Sequence, residues 1–338
     1  MTTISTNNKM YKYKDSGVDI AKADRIIKSI SNLVDDASCD VKDTKDIKGF
    51  AGLYNLCEEN YLVASTDGVG TKILLAQEYN ILGGIGVDCV AMCVNDIICT
   101  GAKPLFFLDY FCSGRVDEDQ FLEVIQSIKK GCSDYGIPLI GGETAELPDL
   151  VSNEAFDVAG FCVGIVKKKD LIDGRTIKAG DSVIAFPSNG FHSNGYTLIR
   201  KILKETDQCK YWNTSTIETI KDLLKPTEIY VYRLKHLLNK FKIKGVAHIT
   251  GGGFSNLDRV VPEGLSVEWK NDIPRPSIFD SIQEWGKISD EEMKSVFNNG
   301  IGMCMVVSSD EKNKIASEIP LDGGVYPHII EVGRIINR

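Results

Sequence analysis

The stretch IGVDCVAMCVNDIICT, from Ile85 to Thr100, is the feature that most limits how this chain can fold. Its spacing predicts an α-helix that is apolar on nearly every side and is closed by Gly101. Such a helix must be covered by other elements all round, which is typical of the centre of a layered domain of helices and sheets. The same helix nevertheless carries Asp88, Asn95 and Asp96.

Carboxylates in apolar surroundings indicate a chemical use, because burying them is costly without a cation or several hydrogen-bond donors. Asp67 ends a short predicted strand, and Asp109 interrupts the apolar run PLFFLDYF. Helical geometry places Asp88 and Asn95 on one face and Asp96 about 80° away, so an oxygen-rich side could face Mg²⁺. The alternative, in which Asp88 and Asp109 cap helices or pair with Lys or Arg, stays open.

Three glycine-rich loops follow predicted strands, at 67–72 (DGVGTK), 189–195 (NGFHSNG) and 250–256 (TGGGFSN). Glycines let the backbone approach an anion closely, and a helix N-terminus adds unpaired N–H donors. None of the loops matches the P-loop or the Rossmann fingerprint. Each is open to two interpretations, a tight turn or a phosphate cradle. His192 and His248 lie in or beside these loops and are acid–base candidates.

The predicted elements mix helices and strands and indicate two domains, 1–169 and 170–338, each long enough for its own core. An amphipathic helix is predicted at 20–34. The segment 137–146 is predicted as a strand that runs into a turn. Helical segments are predicted across 217–241.

Composition excludes several classes of protein. The net charge of 39 − 47 = −8 argues against nucleic acid as the main partner. Ten cysteines without a Cys-x-x-Cys pair predict reduced thiols rather than disulfides or structural zinc. The polar N-terminus and the lack of a long apolar stretch predict a cytoplasmic protein without a membrane partner.

Several motifs together resemble the phosphoribosylformylglycinamidine cyclo-ligase family, also called aminoimidazole ribonucleotide synthetases. They are YKDSGVDI (13–20), STDGVGTK (65–72), GVDCVAMCVNDIICTGAKPLFFLDYF (86–111), IGGETAELP (140–148), DVAGFCVG (157–164), HSNGY (192–196), HITGGGF (248–254) and FNNGIGM (297–303). The element from Asp96 to Pro104 is shared by a wider ATP-using superfamily. HSNGY, HITGGGF and VAGFCVG are similar to the cyclo-ligases themselves.

The resemblance implies two α+β domains, of which the N-terminal one is a mixed α/β sheet domain that forms a shared barrel with its copy in a homodimer. It also implies ATP-dependent ring closure of formylglycinamidine ribonucleotide to 5-aminoimidazole ribonucleotide, with release of ADP and phosphate, in purine biosynthesis. Thiamine-phosphate kinase and selenophosphate synthetase are the alternatives within the superfamily. His248 stands where selenophosphate synthetases carry a metal-binding Asp, which argues against that alternative.

The resemblance further implies roles for individual residues. Binding of Mg²⁺ and of the ATP phosphates is expected from Asp67, Asn95 and Asp96, with K⁺ as an optional second ion. Further ATP contacts are expected from Gly68, Gly70, Thr71, Lys72, Glu143 and Thr144. Substrate contacts are expected from Ser193, Asn194, Gly251, Gly252 and Gly253. The expected catalytic residues are His192 for proton transfer, Lys72 as a point charge on the triphosphate, and His248, whose own role is open.

Overall fold

A computed structural model describes residues 11–17, 22, 25–26, 49–206, 208, 214–318 and 329–338. The helix predicted at 20–34 falls almost entirely outside these residues. Within them, the eight cysteines are free thiols and seven are buried, in agreement with the prediction of reduced cysteines. No helix in the described ranges is long and apolar enough to cross a membrane.

The first half of the chain forms a five-stranded sheet with the strand order β1-β2-β5-β3-β4. Its strands are β1 (Gly52–Asn55), β2 (Asn60–Gly68), β3 (Lys103–Ser113), β4 (Leu139–Glu146) and β5 (Phe156–Lys167). Its helices are α1 (Lys72–Glu78), α2 (Ile85–Cys99) and α3 (Glu118–Ser133). Strands β3 and β4 are parallel and the other pairs are antiparallel, so the predicted mixed α/β sheet is confirmed.

Helix α2 is the predicted apolar helix, and it is buried as expected. It ends at Cys99, and Gly101 follows with a φ of +81°, donating its N–H to the carbonyl of Ile98 at 2.9 Å. One side of α2 packs on β2 and β5, while Ile98 and Cys99 belong to the core of the second half. Helix α2 therefore lies between the two halves of the molecule.

The second half forms another five-stranded sheet, with antiparallel neighbours in the order β7-β9-β6-β10-β8. Its strands are β6 (Ser182–Pro187), β7 (Ile243–His248), β8 (Leu265–Trp269), β9 (Ile301–Val307) and β10 (Ile330–Asn337). Its α-helices are α4 (Tyr196–Thr206), α5 (Thr214–Leu223), α6 (Val231–Leu238), α7 (Ser277–Gly286), α8 (Asp290–Val296) and α9 (Ser309–Glu318). Short 3₁₀ helices cover Tyr13–Ser16, Lys168–Asp170 and Gly253–Arg259.

The segment 224–230 is not helical, although helical structure was predicted across 217–241. Helix α5 ends at Leu223 and α6 begins at Val231. Pro226 lies between them, and a proline has no N–H and disfavours helical conformation in the residue before it. The non-helical segment lies against α2, where it contributes to the site described below.

Strand β4 continues through its two glycines to Glu146, and the chain turns after it, at 148–150, so the predicted strand and the turn after it are confirmed. Gly142 lies opposite Asp109 of the parallel strand β3. A Cβ atom at Gly142 would lie 2.3 Å from an Asp109 carboxylate oxygen. The glycine therefore makes room for a neighbouring side chain rather than turning the chain.

Candidate active site

Asp67, Asp96 and His248 lie close together beside α2, the helix between the two halves of the chain. Asp67 lies near the end of β2, Asp96 in the last turn of α2, and His248 at the end of β7. His248 is fully buried, and the side chain of Asp96 is 15% exposed. Because β2 and β7 belong to different sheets, the cluster forms only when both sheets pack against α2.

A hydrogen bond joins His248 to Asp96, with 2.9 Å between Nδ1 and Oδ1. The other ring nitrogen, Nε2, lies 3.4 Å from the amide Nδ2 of Asn95. An amide NH₂ can only donate, so this contact makes Nε2 the acceptor and leaves the ring proton on Nδ1. His248 therefore holds the Asp96 carboxylate in place by donating to it.

The carboxylates of Asp67 and Asp96 lie close enough for the charge of Asp96 to raise the pKa of Asp67. The pKa of Asp67 is raised from 3.8 to about 6, mainly by burial and also by the negative charge of Asp96. The N–H of Gly68, which donates to Asp67 Oδ1 at 2.8 Å, and the charge of Arg259 act in the opposite direction. Two close carboxylates of this kind are more stable with a bound cation than without one.

The donor set fits Mg²⁺ that arrives with a phosphate ligand. Mg²⁺ prefers oxygen ligands and is usually bound by one or two carboxylates together with substrate phosphates and water. Across the described part of the chain, no group of three or more His, Cys, Asp and Glu side chains is arranged to hold a metal. Asp67 and Asp96 are therefore the residues that would hold the ion, and the remaining ligands would come from the nucleotide and water.

Asn95, a predicted metal ligand, uses both atoms of its amide group to hold backbone groups of another segment. Its Oδ1 accepts the N–H of Tyr230 at 3.0 Å, and its Nδ2 donates to the carbonyl of Glu228 at 2.8 Å. Through these two bonds Asn95 holds the segment 224–230 against α2. Its role as a metal ligand stays a prediction, which would use the second lone pair of Oδ1.

Lys72, the predicted point charge on the triphosphate, lies in an ion pair with Asp88. Its side chain is fully buried, with Nζ 2.7 Å from Asp88 Oδ2 and 2.7 Å from the carbonyl oxygen of Lys225. Burial lowers the pKa of this ammonium, and the charge of Asp88 acts in the opposite direction. In this arrangement Lys72 is a structural partner of Asp88, and its contact with a triphosphate stays a prediction. For Asp88, the ion-pair alternative holds.

His192, the residue predicted to transfer a proton, is buried. It is 1% exposed and has a φ of +60°, and neither ring nitrogen has a hydrogen-bond partner among the described residues. Burial lowers the pKa of its imidazole well below 6.5. Buried polar atoms without partners are uncommon and costly, so this ring is a feature that packing alone does not explain.

The loop after His192 contacts the third glycine-rich loop. A Cβ atom at Gly251 would lie 2.9 Å from Oδ1 of Asn194, so the two predicted substrate segments lie side by side. Gly253, also a predicted substrate contact, donates its N–H to the carbonyl of Thr250 at 3.0 Å. A Cβ there would lie 2.0 Å from the carbonyl oxygen of Lys294, so close packing explains this glycine.

The remaining predicted ATP residues are divided between two places. In the loop after Asp67, the Gly68 N–H is used by Asp67, and the Thr71 hydroxyl lies 2.9 Å from that of Thr197 on α4. Glu143 lies opposite Tyr110 on the face of the first sheet that points away from α2. Within one chain, strands β5 and β3 separate β4, which carries Glu143 and Thr144, from β2 and Asp67.

Arg259 is a residue that the sequence analysis missed. It ends the 3₁₀ helix that begins at Gly253, its guanidinium carbon lies 5.0 Å from the centre of the Phe50 ring, and its charge lowers the pKa of Asp67. It lines a cavity of about 880 Å³ whose described walls contain none of the predicted site residues. The sequence does place Arg259 shortly after the third glycine-rich loop, and this position could have indicated it as a site residue.

Comparison with known proteins identifies the family. The AIR synthase related protein family matches in two parts, its N-terminal domain at residues 49–166 and its C-terminal domain at 178–338. A phosphoribosylformylglycinamidine cyclo-ligase from Syntrophus aciditrophicus (strain SB) is 46% identical over 322 residues, which is 92% of each chain. The chloroplastic/mitochondrial cyclo-ligase of Vigna unguiculata is 46% identical over 332 residues, covering 96% of this chain and 81% of that relative. The chain belongs to the AIR synthase related protein family.

Solved structures place this member of the AIR synthase related family in a wider fold group. The structure of AaThiL complexed with AMPPCP and TMP has a TM-score of 0.65 and covers 93% of this chain and 90% of its own. The identity between the two is 16%, so the likeness is one of fold. The α+β fold is thereby confirmed.

Proposed function

We propose that this protein is a phosphoribosylformylglycinamidine cyclo-ligase, which uses ATP to close the ring of formylglycinamidine ribonucleotide and releases 5-aminoimidazole ribonucleotide, ADP and phosphate. The observation that carries the proposal is 46% identity to a cyclo-ligase over 92% of both chains. The convergence of Asp67, Asp96 and His248 on α2 supports it, because phosphoryl transfer depends mainly on positioning and on neutralising charge.

In the proposed reaction, the amide oxygen of the substrate takes the terminal phosphoryl group of ATP, and ADP leaves. A nitrogen of the amidine side then attacks the same carbon, and phosphate leaves with the original amide oxygen. Asp67 and Asp96 would hold the Mg²⁺ ion, which when bound offsets the charge of the phosphates. The AMPPCP-bound structural neighbour supports a nucleotide site on this fold.

His192 is the proposed proton acceptor for the attacking nitrogen. Its lowered pKa keeps the imidazole neutral at neutral pH, and a neutral imidazole can take up a proton. Because the ring is 1% exposed, the loop at 192–194 must shift before His192 can reach a substrate. Asn194 supports such a shift, because its buried Nδ2 has no hydrogen-bond partner within the described ranges.

The proposed division of labour follows the two halves of the chain. Residues 1–169 would bind ATP through the loop that contains Gly70 and Thr71, and residues 170–338 would bind the ribonucleotide through Ser193, Asn194, Gly251 and Gly252. The free thiols of the described cysteines support a reducing compartment, for which we propose the cytoplasm.

We also propose a homodimer that joins the first sheets of two chains in a shared barrel. Three large side chains on β1, β5 and β3 are exposed on the sheet face away from α2. These are Tyr54 (56% exposed), Phe161 (41%) and Tyr110 (41%). An apolar sheet face of this kind is typical of a protein–protein interface. A partner would also cover Glu143, which lies beside Tyr110 on that face.

The test is to mix the purified protein with formylglycinamidine ribonucleotide, ATP and Mg²⁺ and to measure ADP and aminoimidazole ribonucleotide together. We expect the two products in a one-to-one ratio. The same preparation is then given thiamine monophosphate or selenide, the substrates of the two alternative enzymes. Turnover of either, with none of the first substrate, would contradict the proposal.

A further inference from the structure

Thr227 joins the Lys72–Asp88 ion pair to the loop at 192–194, and none of the motifs in the sequence analysis includes it. It lies in the segment 224–230, which is held against the first half of the chain by Lys72 and Asn95. Thr227 itself is 1% exposed. Its surroundings are therefore fixed by contacts from both halves of the chain.

Asp88 holds Thr227 through two hydrogen bonds. Its Oδ1 accepts the backbone N–H of Thr227 at 2.7 Å and the Thr227 hydroxyl at 2.6 Å. The same oxygen accepts from Lys72 Nζ at 2.9 Å. Asp88 forms an ion pair with the buried ammonium of Lys72. An ionised carboxylate has no proton to donate. The Thr227 hydroxyl must therefore be the donor in its bond to Asp88.

The direction of that bond decides the direction of the next one. The Thr227 Oγ1 lies 2.9 Å from Oγ of Ser193. The single hydroxyl proton of Thr227 is already directed at Asp88, so Ser193 must donate its own proton to Thr227. The oxygen of Ser193 then has only lone pairs left for any other partner.

We infer that Thr227 is a positioning residue, which fixes the Ser193 hydroxyl so that it presents an acceptor to the substrate. Ser193 would therefore bind an N–H or O–H group, such as the amidine or a ribose hydroxyl, and not a phosphate oxygen. This inference rests on the proposed function, because it assigns Ser193 to the substrate side of that reaction.

The test compares T227V, which removes the hydroxyl, with T227S, which keeps it. We expect T227V to lower kcat/KM for the ribonucleotide about 5- to 50-fold with little change in the KM for ATP, and T227S to recover most of the loss. T206V is the matched control, because the Thr206 hydroxyl bonds the carbonyl of Ile202 in its own helix. A T227V enzyme with normal kcat/KM, or a T227S enzyme as impaired as T227V, would overturn the inference.

A double-mutant cycle with S193A separates this inference from the proposed function. If Thr227 acts through Ser193, the effects of T227V and S193A on kcat/KM are not additive, and additivity would refute the link. The same cycle is measured on urea unfolding, which needs no substrate. Non-additive unfolding energies in a protein that does not turn over the ribonucleotide would refute the proposed function and keep the Ser193–Thr227 link, whereas additive ones would refute the link.

Discussion

Replacing Asp67 by Asn should make the metal-free protein more stable at neutral pH while it removes activity. The pKa of Asp67 is about 6 in the folded protein and 3.8 ordinarily, so ionising this side chain costs more in the folded state than in the unfolded state. At 1.36 kcal/mol per pKa unit, the difference corresponds to about 3 kcal/mol of lost stability at pH 7.5. Asn keeps the shape of the side chain without its charge, so D67N should regain most of that energy.

The pH dependence of this gain is the sharper part of the prediction. A raised folded-state pKa means that stability is fully present below pH 3.8 and is lost as the pH rises through about 6. The gain from D67N should therefore fall from about 3 kcal/mol at pH 7.5 to about 1 kcal/mol at pH 4.5.

The assay is urea unfolding of both proteins at the two pH values, with EDTA present to remove metal. E58Q is the control, because Glu58 is exposed in the turn between β1 and β2, and its change should stay within about 0.5 kcal/mol. A D67N protein that is no more stable at pH 7.5, or equally stabilised at both pH values, would refute the electrostatic argument.

Three further predictions concern the cluster, the glycine loop and the dimer. D96N should reduce kcat at least about 100-fold with an unchanged fold by circular dichroism, and near-normal kcat would remove Asp96 from the metal role. G253A should lower the free energy of unfolding in urea by about 2–4 kcal/mol, because the added Cβ would meet a carbonyl oxygen. G136A, at a glycine with a similar positive φ but open space around it, should lower it by about 1 kcal/mol. Equal losses in the two variants would contradict the packing argument. F161E should give monomers in sedimentation equilibrium and L122E, on the exposed side of α3, should not; dimers in both would place the interface elsewhere.

The sequence predicted the elements whose pattern is set by local burial. Helix α2 is an example, because its apolar residues and Gly101 define it without knowledge of the rest of the chain. The strands that follow it were predicted for the same reason. Asp67 and Asp96 could also be singled out, because a carboxylate in an apolar context is visible in one sequence.

The partners of the polar side chains could not be predicted in this way. Lys72 and Asn95 lie in motifs that suggest ligand binding, yet their partners lie in the segment 224–230, more than 130 residues away along the chain. Thr227 belongs to a stretch that was predicted to be helical. Apart from Pro226, nothing in the neighbouring sequence indicated that its hydroxyl would bond Asp88. Contacts of this kind depend on how the two sheets pack on α2.

The most direct test of the proposed reaction is to follow the amide oxygen of formylglycinamidine ribonucleotide with a heavy oxygen isotope. The substrate is labelled at that oxygen, turned over with ATP and Mg²⁺, and the released phosphate is analysed by mass spectrometry. If the amide is phosphorylated before the ring closes, each phosphate carries one labelled oxygen. Unlabelled phosphate, formed together with aminoimidazole ribonucleotide, would contradict the proposed path.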